Sequence, residues 1–182
     1  MSKVRGFEVI SKEKDNNINL PVRATKNAAG YDFEASQDIV IPSVLKSVGA
    51  FGSTLFKKLK LGIFTEKNHP EELKKVVKPV LVPTGIKAYM KDDEYLQLAN
   101  RSSNPLKRFL LLANGVGVID SDYYNNPDNE GHIMFQFINF GLFDITIKKG
   151  ERIGQGIFLP FLKSDTDTTS TKRSGGFGSS GK

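Results

Sequence analysis

Short runs of β-branched and aromatic residues, cut at close intervals by Gly, Pro, Asn and Asp, dominate this chain and restrict it to a fold built from short strands. Residues 4–11, 38–42, 80–89, 94–99, 132–139 and 145–148 each read as a strand. The 13 phenylalanines and 17 glycines suit sheets packed face to face and joined by tight turns. Nothing resembles the regular strand–helix alternation of a parallel α/β protein, so the expected class is all-β, a barrel or jelly roll. At 182 residues the chain is long enough for one domain with a substantial core.

One segment breaks the strand pattern. Within residues 43–78, Val44, Val48, Phe51, Leu55 and Leu59 recur at helical spacing, while Gly49 and Gly52 weaken the helix. Pro70, Glu71 and Glu72 then suit the first turn of a second short helix that runs to about Lys78. The reading is a helical insertion into a β domain. It holds eight lysines and three glutamates, so five of the six net positive charges fall there. Three roles stay open: a surface elaboration packing on the barrel, a basic docking surface for a protein partner, or a membrane-surface contact. The remainder of the chain is nearly balanced in charge, so direct nucleic-acid binding is not expected.

Residue types absent from the chain narrow the chemistry. There is no cysteine, hence no disulfide framework and no thiolate zinc site. Two histidines, His69 and His132, make a histidine-built metal centre an unpromising reading. Any metal is expected to be a hard, oxygen-bound ion such as Mg²⁺. No apolar run reaches the length of a membrane span, and the first ten residues do not read as a secretion signal. The expected compartment is the cytoplasm.

Two segments stand out chemically. Residues 117–126, GVIDSDYYNN, place two aspartates and two tyrosines at the end of a short apolar strand, where a hairpin is the natural shape. Asp120 and Asp122 are too few and too irregularly spaced for a calcium loop. Residues 173–182, RSGGFGSSGK, nearly match a phosphate-binding glycine loop, but no helix follows to direct its N-terminus at a phosphate. Glycines there leave backbone N–H groups open to a polyphosphate, Arg173 offers charge-assisted bonds, and Phe177 can cover a base. Residues 164–181 are rich in Ser, Thr, Gly and Asp and are expected to form a mobile arm. The expected division is a β domain over 1–163 and an arm over 164–182 that closes the site.

Together with three further segments, these two resemble the trimeric dUTPase family, which carries five motifs in fixed order. AGYDFEA (29–35) resembles the first, NRSSNP (100–105) the second, NGVGVIDSDYYNN (114–126) the third, GERIGQ (150–155) the fourth and RSGGFGSSG (173–181) the fifth. The resemblance implies a β jelly roll of the β-clip type. It also implies a homotrimer with sites shared between chains, and Mg²⁺-dependent hydrolysis of dUTP to dUMP and pyrophosphate. Carried over by position, Asp120 is the general base for water attack on the α-phosphorus. Asn114 and the backbone of Gly117, Val118 and Ile119 read uracil, and Tyr123 packs under the sugar. Arg101, Ser102, Ser103 and Gln155 hold phosphates, and Asp32 orders the water shell of the metal. Arg173, Phe177, Gly178, Ser179 and Ser180 close over the nucleotide, with Lys172 an alternative to Arg173. Asn125 stands where much of the family has Gly, and Asn tolerates positive φ nearly as well. Gly154 stands where Ala is common, a difference expected to matter little. Two other readings remain: a dCTP deaminase of the same fold, and a non-catalytic jelly-roll binding or regulatory protein.

Overall fold

The computed structural model describes residues 3–60 and 78–171, with the backbone alone at 51 and 54–60. The short runs become β1 (Gly6–Val9), β2 (Tyr31–Glu34), β3 (Ile39–Ile41), β4 (Val80–Pro83), β5 (Ile86–Tyr89), β6 (Glu94–Asn100), β7 (Leu110–Leu112), β8 (Gly117–Asp120), β9 (Met134–Asn139), β10 (Ile145–Ile147) and β11 (Arg152–Pro160). Two helices accompany them, α1 (Val44–Lys60) and α2 (Ser103–Arg108). Strands pair antiparallel in four sheets, ordered β2-β11-β6-β8, β4-β9-β7, β1-β5 and β10-β3.

Period-two alternation drives this assembly. Along β9, Phe135, Phe137 and Asn139 are buried while Met134, Gln136 and Ile138 are half-buried. Phe33, Ile41, Val82, Ile86, Leu96, Leu110, Ile133 and Ile147 meet Phe135 and Phe137 in one core. Each such side chain contributes about 1.5–3 kcal/mol on burial.

β11 is the longest strand and the one at which β2 and β6 meet. Its sequence, RIGQGIFLP, was not among the expected strands, because two glycines weaken strand propensity. The structure gives the reason for both. A Cβ at Gly154 would lie 2.0 Å from Cε1 of Phe135, and one at Gly156 would lie 2.6 Å from Cε2 of Phe33. The phenyl rings occupy the volume that side chains of β11 would fill. Gly154 is therefore required by Phe135, which corrects the expectation that it matters little.

Residues 80–89, expected as one strand, form two. The chain turns at Thr84 and Gly85, where Gly85 takes φ +72°, and passes from the β9 sheet to β1. Thr84 Oγ1 donates to the Ile133 carbonyl at 2.7 Å and accepts from Ile86 N–H at 3.1 Å, so the crossing is fully hydrogen-bonded. β2 and β7 were also not foreseen as strands.

The helical reading of the insertion holds for its first half, α1. Ser43, fully buried, opens it: Ser43 Oγ accepts from Lys46 N–H at 3.0 Å and donates to the Gly141 carbonyl at 2.5 Å. Asp144 holds the same turn through Ser43 N–H and the Lys46 ammonium, at 2.9 and 2.6 Å. Gly49 and Gly52 face open space, so each costs about 1 kcal/mol of helix propensity without breaking the helix. The second expected helix, near 70–78, lies almost wholly outside the described residues. No helix among the described residues is long and apolar enough to cross a membrane.

Gly154→Ala is expected to destabilise the fold by about 1–3 kcal/mol, the usual range for an overpacked core. Adding Phe135→Leu should recover part of that loss, which thermal melting of the single and double variants measures.

Candidate functional site

The expected site residues fall into two separate groups of side chains. The first gathers around Asp32 on β2, whose carboxylate is only 6% exposed. Arg152 Nη1 and Gln155 Nε2 each donate to it at 3.1 Å, one to each oxygen. In a regular strand, residues three apart point to opposite faces. β11 carries a bulge between Arg152 and Gly154: Arg152 pairs with Glu34 and Gly154 with Phe33, so Ile153 is the extra residue. That insertion brings Arg152 and Gln155 to one face, where both reach Asp32. Gly30 leaves room for Gln155, whose Oε1 would lie 3.1 Å from a Cβ there.

Residues 100–105 join the same group. Arg101 Nη1 donates to the Arg152 carbonyl at 2.8 Å. Asn104, 2% exposed, donates to Asn100 Oδ1 and to the Ile153 carbonyl, both at 2.8 Å, and so pins the segment to β11. Here the chain enters α2. Pro105 sits in its first turn, where the missing N–H has no intrahelical partner to lose. Ser102 lies at the N-cap without a side-chain capping bond, and both Ser102 and Ser103 remain solvent-accessible. Asp32, Arg101, Ser102, Ser103 and Gln155 therefore lie in one group. Arg152 belongs with them and was missed, although it lies inside the fourth motif.

The second group lines a pocket of about 250 Å³. Asn114, Gly117, Val118, Ile119, Asp120 and Tyr123, all expected, form one side, and His132, Met134 and Gln136 the other. The expected hairpin is present only in outline. After β8 the chain makes a 3-10 turn, Ser121–Tyr123, and returns as β9, but the two strands join different sheets. β8 pairs with β6 along one edge only, whereas β9 pairs with β4 and, from Phe137 onward, β7. The pocket is the gap left where β8 and the first half of β9 diverge. Half of the backbone donors and acceptors of an edge strand point away from its partner, so β8 offers main-chain groups to a flat polar ligand. Gly117 packs closely on Leu98, with a Cβ there 3.0 Å from Leu98.

Tyr123 is buried beneath the pocket. Its hydroxyl donates to the His132 carbonyl at 3.2 Å and accepts from Asn129 Nδ2 at 2.8 Å. Asn125 adopts φ +57°, the left-handed conformation expected of it. Lys87, 8% exposed, secures the turn by donating to Asn125 Oδ1 at 2.6 Å and Glu130 Oε2 at 3.2 Å. Glu130 also accepts from Ser11 N–H and Oγ, and these bonds hold its carboxyl below the usual carboxylate range. His132 Nε2 accepts from Gly85 N–H at 2.9 Å, so the ring is neutral with its proton on Nδ1. Burial pushes its pKa down, opposed by Glu13 and Glu130.

Among the described residues, no three His, Cys, Asp or Glu side chains cluster as a metal cage. Arg173, Phe177, Gly178, Ser179 and Ser180, with the alternative Lys172, lie outside the described residues.

Comparison with known proteins places these groups in context. A family model described as dUTPase matches residues 68–181. The chain is 45% identical over 181 residues to the deoxyuridine 5'-triphosphate nucleotidohydrolase of Lactococcus lactis subsp. lactis (strain IL1403), covering 98% of this chain and 99% of the relative. The crystal structure of dUTPase from Streptococcus mutans superposes with a TM-score of 0.67 at 41% identity, covering 88% of this chain and 98% of that one. A dUTPase of phage phi11 of S. aureus shares the fold, with a TM-score of 0.60 at 13% identity over 93% of this chain and 98% of that one. Its structure is described as showing the coordination of a structural Mg(II) ion.

Because the folded state lowers the His132 pKa, the unfolded chain binds its proton first as pH falls. Stability should therefore be full above about pH 6.5, the unperturbed histidine value, and decline below it. The lowered carboxylates titrate at lower pH still. His132→Gln, whose amide oxygen can take the Gly85 N–H, should flatten this slope in melting curves recorded between about pH 5 and 7.5.

Proposed function

The chain belongs to the dUTPase family, and from that premise we propose how its residues carry out the reaction. The enzyme is a dUTP diphosphatase, splitting dUTP into dUMP and pyrophosphate. The relatives compared are named for this hydrolase, which leaves the deaminase and binding-module readings without support. Acting in the cytoplasm, it keeps uracil out of DNA and supplies dUMP for thymidylate synthesis.

Uracil enters the gap between β8 and β9. Its O4 accepts a hydrogen bond where cytosine N4 donates, so fixed main-chain partners on Gly117, Val118 and Ile119, together with Asn114, favour uracil. A site that leaves its polar groups unpaired with the wrong base rejects that base strongly. Exclusion of the thymine methyl by shape alone is worth only about 1–3 kcal/mol unless the walls are rigid. The buried ring of Tyr123 supports the deoxyribose and leaves no space for a 2′-hydroxyl.

Asp120, at the end of β8 and on the pocket wall, is the single observation that carries the mechanism. Its carboxylate takes a proton from a water whose oxygen attacks the α-phosphorus in line. The bond from that phosphorus to the α–β bridging oxygen breaks, and pyrophosphate leaves. Ser102 donates to the bridging oxygen, while Arg101, Ser103 and Gln155 neutralise and orient the phosphates. Asp32 would help hold a Mg²⁺ ion through water; among the described residues it belongs to no cluster of three His, Cys, Asp or Glu, which suits an ion held mainly by substrate phosphates. The ion, when bound, draws charge from the triphosphate. The arm over 164–182 closes on the nucleotide, with Phe177 over uracil, Arg173 or Lys172 on phosphate, and Gly178, Ser179 and Ser180 completing the cover.

One chain does not bring these groups together. Asp120 pairs across the sheet with Tyr95, six residues before Arg101. At about 3.3 Å per residue, that is about 20 Å along β6. Asp120 stands too far off to serve the α-phosphorus of a nucleotide whose phosphates the same chain's Arg101 grips. The separation supports a homotrimer in which one chain supplies the uracil pocket and a neighbour the phosphate grip.

Incubation with Mg²⁺ and each of dUTP, dCTP, dTTP and UTP should release pyrophosphate from dUTP alone; ammonia from dCTP would contradict the assignment. Asp120→Asn should slow turnover at least about 100-fold. Arg101→Ala should also be poorly active. Mixing the two variants under conditions that exchange subunits should restore activity, since some mixed sites then hold an intact copy of each group. No recovery would contradict sharing between chains.

A further inference from the structure

The turn that carries the chain from Tyr123 to β9 is longer than a hairpin needs, and its side-chain amides, Asn126 and Asn129, both bond to Tyr123. Asn126, 5% exposed, accepts at Oδ1 from Asp128 N–H at 3.0 Å and Asn129 N–H at 3.2 Å. Its Nδ2 donates to the Tyr123 carbonyl at 2.9 Å and to Asn129 Oδ1 at 2.8 Å. Asn129 Oδ1 also accepts from Gly131 N–H at 3.1 Å. These donors fix which way the Asn129 amide points. Its Nδ2 is thereby aimed at the Tyr123 hydroxyl, 2.8 Å away. Gly131 closes the loop over the same residue: a Cβ there would lie 2.5 Å from the Tyr123 carbonyl oxygen.

We propose that Asn129 is a positioning residue for sugar selectivity, holding the Tyr123 ring rigid so that the pocket rejects ribonucleotides. The inference rests on the assignment of Tyr123 to the sugar. Steric rejection of one small group is weak when the wall can yield, and strong only when it cannot. A tyrosine ring anchored at its backbone alone can swing about its first two torsions. With the hydroxyl held between the Asn129 amide and the His132 carbonyl, both ends of the side chain are fixed. Asn129 itself does not line the pocket, so it acts through Tyr123.

The test compares kcat/KM for UTP and dUTP in the full-length protein and in Asn129→Ala, with melting curves to confirm the fold. The UTP-to-dUTP ratio is expected to rise about five- to tenfold, the scale of one hydrogen bond, while kcat on dUTP stays within about threefold. Should the alanine variant fail to fold, Tyr123→Phe keeps the ring and removes only the hydroxyl that Asn129 and the His132 carbonyl hold. It should raise the ratio likewise. An unchanged ratio in a folded, active variant overturns this inference alone. Absence of dUTP turnover in the unaltered protein overturns the functional reading and this inference with it.

Discussion

Everything in the site depends on how closely two phenyl rings approach the backbone of β11. Phe135 and Phe33 lie where side chains at 154 and 156 would begin, so only glycine is accommodated there. That contact seats the strand against the core and fixes its height relative to β2 and β6. With the inner face set, the outward residue between the glycines, Gln155, is delivered to Asp32. The bulge at Ile153 then adds Arg152 from what would otherwise be the wrong face. A carboxylate held by both a guanidinium and an amide is thus a consequence of core packing, made where the strand departs from regularity.

The pocket follows from a different constraint, the parting of two strands that a shorter turn would have paired. β8 stays with β6, and β9 is drawn to β4 and β7 by Phe135 and Phe137. Chain between them must span the gap, and it does so with side-chain amides in place of a ladder. A buried lysine in such a turn would be costly without partners. Lys87 has Asn125, Glu130 and the ring of Tyr124, 5.2 Å from its ammonium. Among the described residues no buried side-chain polar atom lacks a hydrogen bond. The turn beside the pocket is accordingly hydrogen-bonded throughout its buried side chains.

Much of this was legible from residues alone, but unevenly. β6, β9 and β10 were legible because Leu96 and Leu98, Phe135 and Phe137, and Ile145 and Ile147 recur at alternate positions. Helical spacing exposed α1 despite its two glycines, since those glycines face solvent. The longest strand was hidden for the opposite reason: its glycines face rings contributed by β2 and β9, and no local pattern encodes a partner so far along the chain. The break at Gly85 was hidden as well, inside a run that reads as one apolar strand and is divided by the pull of two sheets. Positive φ at Asn125 was readable from residue type; the same conformation at Phe109 and Glu130 was not, because neither residue favours it. Within the described part of the chain the motif residues fall into two groups, one around Asp32 and one lining the pocket beside β8. Arg152, His132 and Asn129 were not assigned, because their roles are set by contacts across the fold.

The separation of the two groups has a further physical consequence. Rigidity suits base selection, since a yielding wall discriminates poorly. Phosphate capture asks for long, solvent-accessible side chains that can follow a charge as it moves from bridging oxygen to leaving group. Building both demands into one strand pair would set them against each other. In this chain the turn around Tyr123 is held by side-chain amides, whereas the segment at Arg101, Ser102 and Ser103 is more accessible and is tied to β11 through Asn104 and through the Arg101 bond to the Arg152 carbonyl. Placing them at opposite ends of β6 lets each keep its own mechanical character, and in the proposed mechanism neighbouring chains bring a carboxylate and a triphosphate together.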